Sequence, residues 1–498
     1  MNHPHFDLVC IGSGPAGQRA AIQAAKLGRR AAVIEKRRVI GGICLDTGTI
    51  PSKTLREAVL AFRRRQPDGR PAATDLLARV EDVIRRESEV IADQLARNGV
   101  ELLRGTASFV DPHTLRIQGD GPAEQVTADH VLIAVGTTPL APPGGVRPGL
   151  VITSDEVGGL ETLPRRLVVV GAGVIGLEYA SMFAEIGVNV TVVDRFERPL
   201  PFLDREIVDE LLHQMRNRNV SFRFGESVDR LETVDDNQPL AALHLESGKT
   251  LVGDLVLFST GRVAATEALN LAKAGLKADA RGRLQVDAAF RTSVPHISAA
   301  GDVIGYPALA ATSMDQGRLA ACAMFHDEPE CMADHFPVGI YAIPEISMVG
   351  RTEQELTEAR IPYEVGVARY REIARGHILQ DDSGFFKMLF HRETRQLLGV
   401  HAIGTGATEL IHIGQAVLGL GGGLDYFLST VFNYPTLAEC YKTAALDAAN
   451  KLAMADRLAQ ARRGPEPSER DVDDLLSGLE LDADKDEHAT AFTTRRRR

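Results

Sequence analysis

Two glycine-punctuated strand–turn–helix–strand units, at residues 6–35 and 167–194, and a change to turn-split strands beyond Pro337 predict an α/β chain: two Rossmann-like dinucleotide-binding units and an α+β C-terminal domain. At 498 residues the chain is long enough for about three domains of roughly 100–200 residues, each with its own core. Apolar residues make up 44% and charged residues 25%, so most of the chain is expected to fold. The net charge of −11 offers no basic field to a phosphate backbone or an anionic lipid surface, so neither nucleic-acid nor membrane binding is expected.

Phe6-Asp7-Leu8-Val9-Cys10-Ile11 reads as a short buried strand, followed by the turn Gly12-Ser13-Gly14-Pro15-Ala16-Gly17 and an alanine-rich helix reaching about Leu27. Ala31-Ala32-Val33-Ile34-Glu35 is a second buried strand; its terminal acid falls about 20 residues beyond the glycines, where a ribose-binding carboxylate belongs. Between Thr74 and Asn98, Leu77, Val80, Ile84, Ile91 and Leu95 recur at helical spacing, with Gly99 as the stop. Val131 to Gly136 is a buried strand ending on glycine.

The same punctuation returns at Leu167-Val168-Val169-Val170-Gly171-Ala172-Gly173-Val174-Ile175-Gly176, followed by a helix carrying Glu178, the strand Val190 to Asp194, and a closing strand Leu255 to Gly261. That similarity suggests duplicated architecture. The apolar stretch Leu167 to Val193 is broken by Glu178, Glu185 and several glycines, so it lacks the roughly 20 uninterrupted apolar residues of a membrane span. Beyond Pro337, the segments Phe385 to Phe390 and Leu397 to His401 read as strands and helices follow from about Thr408. From Gly464 onward proline and acidic residues dominate, which predicts a disordered tail. Within it, Asp471 to Leu476 is read as solvated rather than as a partner-binding helix, and Arg495 to Arg498 receive no reading.

Glycine turns let backbone N–H groups and a helix N-terminus approach a pyrophosphate, because no Cβ intervenes and the helix dipole favours the anion. Two such turns imply two dinucleotides, with Glu35 holding one ribose diol and Asp194 the other. Arg195 and Arg198 follow Asp194. A carboxylate favours the free 2′-hydroxyl of NAD and an arginine the 2′-phosphate of NADP, so both nicotinamides remain open here. Five scattered cysteines, Cys10, Cys44, Cys322, Cys331 and Cys440, form neither a disulfide framework nor a metal spacing, and no export signal precedes the first strand. A cytoplasmic location and no metal are expected. His401 and His412 are read as core residues.

The segment Gly41-Gly42-Ile43-Cys44-Leu45-Asp46-Thr47-Gly48-Thr49-Ile50-Pro51-Ser52-Lys53 resembles the redox segment of the pyridine nucleotide–disulfide oxidoreductases, which carries two cysteines five positions apart. Here Thr49 stands at the second. Thr292 to Asp302 is similar to that family's second FAD segment, and the resemblance runs in collinear order over about residues 5–455. The family's C-terminal histidine–Pro-Thr signature, with a glutamate five positions after the histidine, reads here as Tyr434-Pro435-Thr436-Leu437-Ala438-Glu439, with tyrosine for the histidine. A dithiol relay needs a second sulfur and a base. With both absent, and with Gly301 to Pro307, Gly339 to Glu345 and Glu409 to Gln415 similar as well, the chain resembles the transhydrogenase branch of the family, in which the flavin itself exchanges electrons.

The resemblance implies an FAD site at Gly12, Gly14, Gly17, Glu35, Lys53, Ala107, Gly136, Asp302 and Ala310, with Asp302 on the flavin's ribitol. It implies a nicotinamide dinucleotide site at Gly171, Gly173, Gly176, Glu178, Asp194, Arg195 and Gly261. Lys53 is placed near flavin N5, paired with Glu178, and Cys44 beside the flavin as a spectator or, less favoured, a catalytic thiol. The organisation implied is an FAD-binding domain at 1–150 and 286–336, an NAD(P)-binding domain inserted at 151–285, a dimerisation domain at 337–455, and a helix end with acidic tail at 456–498. A homodimer or higher homo-oligomer follows. The activity implied is hydride transfer from NADPH to NAD+ through FAD, with NAD(H) and NADP(H) as substrates. The alternatives are an NAD(P)H:quinone reductase or diaphorase and, from another class, a silent FAD-binding interaction protein.

Overall fold

A computed structural model describes residues 3–144, 146–235, 239–325 and 332–463. The tail expected from 464, with 471–476 and 495–498, and the cysteine at 331 lie outside the described residues. The first sheet runs in the order Glu101–Arg104, Ala31–Glu35, His5–Ile11, Glu124–Ile133, Thr114–Gln118, Thr106–Asp111. Its first four strands are parallel and its last two antiparallel. The C-terminal half of Glu124–Ile133 also pairs with Ile297–Ala299, so a segment far along the chain returns to this sheet. Ala31–Glu35 is buried on both faces, as its unbroken apolar run requires of a parallel strand with layers on either side.

Helix Pro15–Lys26 leaves the first turn and packs on helix Ala310–Phe325. The two approach so closely that a Cβ on Gly317 would lie 2.1 Å from Ala16 O. Helix Ala73–Arg97 spans the expected stretch and buries Leu76, Val80 and Leu95. No helix among the described residues is long and apolar enough to cross a membrane.

The second sheet is wholly parallel: Val220–Phe224, Asn189–Asp194, Arg166–Val170, Leu255–Phe258, Val151–Thr153. A three-stranded antiparallel sheet covers one of its faces, burying Leu231, Ala241, Leu243 and Leu245 against Val168, Val170, Val193 and Val256. The chain passes between the two large sheets twice, at Thr137–Pro139 and Arg262–Ala264, and these passages pair as an antiparallel ribbon. Arg262 pins the ribbon: Nε donates to Thr137 Oγ1 at 2.8 Å, Nη2 to Thr137 O at 3.1 Å, and Nη1 pairs with Asp155 at 3.0 Å.

Beyond 337 an antiparallel sheet, in the order Val338–Ile340, Ile346–Gly350, Leu397–Ile403, Phe385–His391, Tyr363–Arg369, packs against helices Ala407–Gly419 and Glu439–Arg463. This is the α+β domain expected. His401 is buried, its Nε2 2.9 Å from Arg351 O. His412, read as a core residue, lies instead on the exposed side of its helix, with Nδ1 2.9 Å from Gln415 Oε1; its apolar neighbours in sequence occupy the other face. The buried Lys387 joins this domain to the second sheet's unit through Asp204 at 3.0 Å and Glu206 at 3.0 Å, and also pairs with Glu353.

Candidate functional site

The two glycine turns are the same object built twice. Gly12 and Gly171 each have φ of +106°, a region that favours glycine. A Cβ on Gly17 would lie 1.9 Å from Gly12 O, and one on Gly176 would lie 1.9 Å from Gly171 O. Each third glycine is therefore required for helix and turn to close. The middle glycines differ: a Cβ on Gly14 or Gly173 would meet no heavy atom within 4 Å. Internal packing does not explain glycine there, whereas a pyrophosphate lying against the backbone does, and the helices Pro15–Lys26 and Val174–Glu185 begin at these points.

The acids close the same design. Glu35 is buried; its Oε2 accepts the Ser13 N–H at 3.0 Å and the Ser13 hydroxyl at 2.6 Å, and its Oε1 accepts the Arg37 N–H at 2.7 Å. Asp194 likewise accepts the Ala172 N–H from the second turn, and its other oxygen accepts the Phe196 N–H at 2.9 Å. Both carboxylates are thus fixed at the mouth of their turn. The two arginines after Asp194 part company. Arg198 pairs with Asp209 at 2.6 Å, whereas the Arg195 guanidinium lies over the Phe196 ring, 4.7 Å from its centroid.

Lys53, on helix Thr49–Arg65, meets Glu178, on helix Val174–Glu185, through both carboxylate oxygens at 2.9 and 2.8 Å. Glu178 is 3% exposed and the Lys53 side chain 25%, so the pair stands at a largely buried junction in which the lysine keeps some exposure. Cys44 lies nearby: burial pushes its thiol up from the ordinary value, a trend the Thr49 hydroxyl and the Lys53 charge oppose. Asp302 is also pushed up by burial, against the Arg262 charge and a hydrogen bond with Ser313.

Of the remaining expected residues, Ala310 opens helix Ala310–Phe325, Gly136 has φ of +65° with open space around it, and Gly261 immediately precedes the ribbon. Ala107 sits in the apolar core of the first sheet, where it can offer a bound molecule only its backbone. Tyr434 is 67% exposed, and Glu439 Oε2 is buried with no hydrogen-bond partner. Sequence reasoning gave no role to Tyr341, Ser181, Arg56 or Arg262. All four act across domain boundaries, where no local spacing signals them.

The family model described as pyridine nucleotide-disulphide oxidoreductase matches residues 6–317, and the one for that family's dimerisation domain matches 336–445. The soluble pyridine nucleotide transhydrogenase of Mycobacterium tuberculosis (strain ATCC 25177 / H37Ra) is 50% identical over 461 residues, covering 90% of this chain and 98% of the relative. The protein of the same name from Azotobacter vinelandii is 44% identical over 462 residues, covering 90% and 99%. Among solved structures, the HOCl-induced flavoprotein disulfide reductase RclA of Escherichia coli superposes with a TM-score of 0.82 at 26% identity, covering 89% of this chain and 99% of that one. LpdA of Mycobacterium tuberculosis gives 0.81 at 26% identity, over 89% of this chain and 99% of that one.

Proposed function

This chain belongs to the pyridine nucleotide-disulphide oxidoreductase family, and we propose that within it the protein moves a hydride from NADPH to NAD+ through a bound FAD, as a soluble NAD(P)+ transhydrogenase. The observation that carries this reading is the site itself: two complete dinucleotide cradles flank one Lys53–Glu178 pair, and the segment beside it holds a single sulfur. FAD, when bound, supplies a two-electron acceptor that is also a donor.

The chain's own residues do the rest. Gly12, Gly14 and Gly17 with Glu35 hold the FAD pyrophosphate and ribose, Asp302 its ribitol, and Gly136, Ala107 and Ala310 contribute backbone. Gly171, Gly173, Gly176, Asp194 and Gly261 hold the nicotinamide dinucleotide, and Arg195, free of the carboxylate that occupies Arg198, meets the 2′-phosphate of NADPH. Lys53, oriented by Glu178, would hold a positive charge beside bound flavin, where it could offset negative charge on the reduced ring. Cys44 is a spectator, because its raised pKa keeps it a protonated thiol and Thr49 offers no sulfur to close a disulfide. Successive occupation of one site by the two nicotinamides makes the cycle ping-pong.

For the domains, we keep an FAD unit with an inserted NAD(P) unit, a dimerisation domain over 337–455 that makes at least a homodimer, and a helix end passing into the tail from 456. The insertion's exit moves from 285 to the ribbon near 264, since Leu269, Ala274, Leu276 and Leu284 pack with Phe109 and Ile117 of the first sheet. The free cysteines Cys10, Cys44 and Cys440 and the relatives' designation as soluble support a cytoplasmic location.

The deciding experiment is anaerobic stopped-flow: reduce the flavin with stoichiometric NADPH, add NAD+, and follow reoxidation at the flavin band. Rapid reoxidation with NADH formation is expected. A flavin that NADPH reduces, a quinone reoxidises and NAD+ leaves reduced would establish a quinone reductase instead.

A further inference from the structure

One residue of the third domain touches both members of the Lys53–Glu178 pair. The Tyr341 N–H donates to Glu178 Oε1 at 2.8 Å, and the Tyr341 ring faces the Lys53 ammonium, with Nζ 5.0 Å from its centroid. The contact is reinforced on both sides. Arg56, one turn beyond Lys53, donates from Nε to Ala342 O at 3.0 Å. The Ile343 N–H donates to Ser181 Oγ at 2.9 Å, and that hydroxyl donates to the Glu178 carbonyl at 2.7 Å. Residues 341–343 are thereby tied to both helices that carry the ion pair.

A lysine ammonium on a flexible four-carbon stem loses rotamer entropy before its charge is fixed in one place. Here its N–H groups are taken by the two Glu178 oxygens and by Ser52 Oγ at 3.3 Å, and the Tyr341 ring covers a further side. A ring face attracts the cation through its quadrupole without cancelling the charge, as a second carboxylate would. The carboxylate in turn is held by an amide that comes from outside its own helix, so it cannot follow the lysine away.

We propose that Tyr341 is a positioning residue for hydride transfer: its amide anchors the Glu178 carboxylate and its ring holds the Lys53 ammonium, so the third domain sets where the positive charge of the site stands. This rests on the reading that Lys53 lies beside the reacting edge of bound flavin.

The test uses the full-length, FAD-loaded enzyme with Tyr341→Leu, Tyr341→Phe, a series carrying mono-, di- and trifluorinated phenylalanine at position 341, and Lys53→Met. Two quantities are read: the flavin midpoint potential by anaerobic dye equilibration, and the rate of flavin reduction with its NADPH dissociation constant by stopped-flow. Tyr341→Leu is expected to slow reduction by roughly three- to tenfold, the range of a partly desolvated cation–π contact, with NADPH affinity unchanged. The midpoint should fall with it, by up to about 30 mV for a tenfold change in a two-electron equilibrium. Tyr341→Phe, which keeps ring and amide, should recover most of the loss. Fluorination weakens the ring quadrupole with little change of shape, so rate and potential should decline stepwise along the series, which a purely packing role would not produce. If Tyr341→Leu fails to take up FAD, the fluorinated series carries the test.

A flat fluorine series, or Tyr341→Phe as impaired as Tyr341→Leu, overturns the proposal. If Lys53→Met moves the potential while every Tyr341 variant leaves it alone, the proposal falls and the reading of the lysine stands. If Lys53→Met changes neither quantity, that reading falls and the proposal with it.

Discussion

The middle glycine of the second turn separates binding from folding, and a paired substitution measures the separation. Gly173 has φ of −73° and ψ of −179°, a conformation alanine adopts without strain, and its Cβ would meet nothing within 4 Å. Replacing glycine by alanine at a compatible position gains about 0.4–1 kcal/mol from the unfolded chain, offset by alanine's poorer performance at a helix N-cap. The net effect on stability of Gly173→Ala should lie within about 0.5 kcal/mol. On the proposed function the added methyl enters the space that the dinucleotide's pyrophosphate would occupy. At the usual cost of overpacking, about 1–3 kcal/mol, nicotinamide affinity falls by roughly 5- to 150-fold. Gly176→Ala is the reverse case: its Cβ would lie 1.9 Å from Gly171 O and 2.8 Å from Ser259 Oγ. Gly171 cannot retreat, because its N–H is bonded to Val193 O at 2.8 Å. A cost of about 3 kcal/mol or more should lower the melting temperature by roughly 6–12 °C. Thermal melting and anaerobic titration of flavin reduction by NADH and by NADPH read both effects on the yellow holoprotein, whose FAD turn is untouched. Unchanged nicotinamide affinity in Gly173→Ala, at unchanged stability, would refute the assignment of that open space to a pyrophosphate.

Arg195→Ala should raise the KM for NADPH about tenfold and leave that for NADH near its starting value, while Arg198→Ala, which only releases Asp209, should change neither; equal losses with both cofactors would remove the arginine from the 2′-phosphate. Cys44→Ser should keep transhydrogenation within about twofold, and a loss beyond tenfold would return the thiol to the chemistry. Lys387→Met should cost about 3–5 kcal/mol in denaturant unfolding, because Asp204 is left buried without its cation. His401 is buried neutral, its pKa pushed down by burial and by the Lys387 charge against the pull of Asp204 and Glu353. The unfolded chain therefore takes up this proton first, and stability falls as pH drops below about 6.5, by at most about 1.4 kcal/mol per unit. His401→Gln should flatten that part of the stability–pH curve, and an unaltered slope would assign the acid loss to other groups.

What was legible in the sequence is what is local. Glu35 hydrogen-bonds a residue 22 positions away within a single strand–turn–helix–strand unit, and the spacing of glycine and acid encodes that contact. Lys53 and Glu178 lie 125 positions apart, so resemblance alone brought them together. Tyr341 lies 163 positions from the carboxylate it anchors, through a backbone amide that any residue but proline would supply, and so left no mark in composition or spacing. The exit of the inserted unit, read at 285 from the sequence and proposed near 264, has a similar cause. Residues 265–285 fold as short 3-10 turns, Glu267–Leu269 and Leu271–Ala274, whose buried leucines follow no period from which a sheet partner could be read. His412 was misassigned for the opposite reason: its neighbours are apolar, but helical periodicity puts the polar residue on the other face.

Thr49 and Tyr434 act on the same electron balance. Two electrons delivered to a flavin leave through a disulfide only if a second sulfur lies within bonding reach of the first. Cys44 has Thr49 at that place, and Cys10 and Cys440 are buried elsewhere as free thiols. Burial raises Cys10, and it raises Cys440 to about 12, so neither offers a thiolate at neutral pH. Cys44 therefore has no second sulfur at 49 with which to close a disulfide, and a base at 434 would have no dithiol proton to take. On the proposed function the electrons leave on a molecule that diffuses in. In the proposed function the second glycine turn, with Asp194, Arg195 and the Lys53–Glu178 pair, is the bed for one such molecule, a nicotinamide dinucleotide. An enzyme that takes hydride from one nicotinamide and gives it to another needs no further site, whereas a quinone reductase needs the quinone to compete for this one.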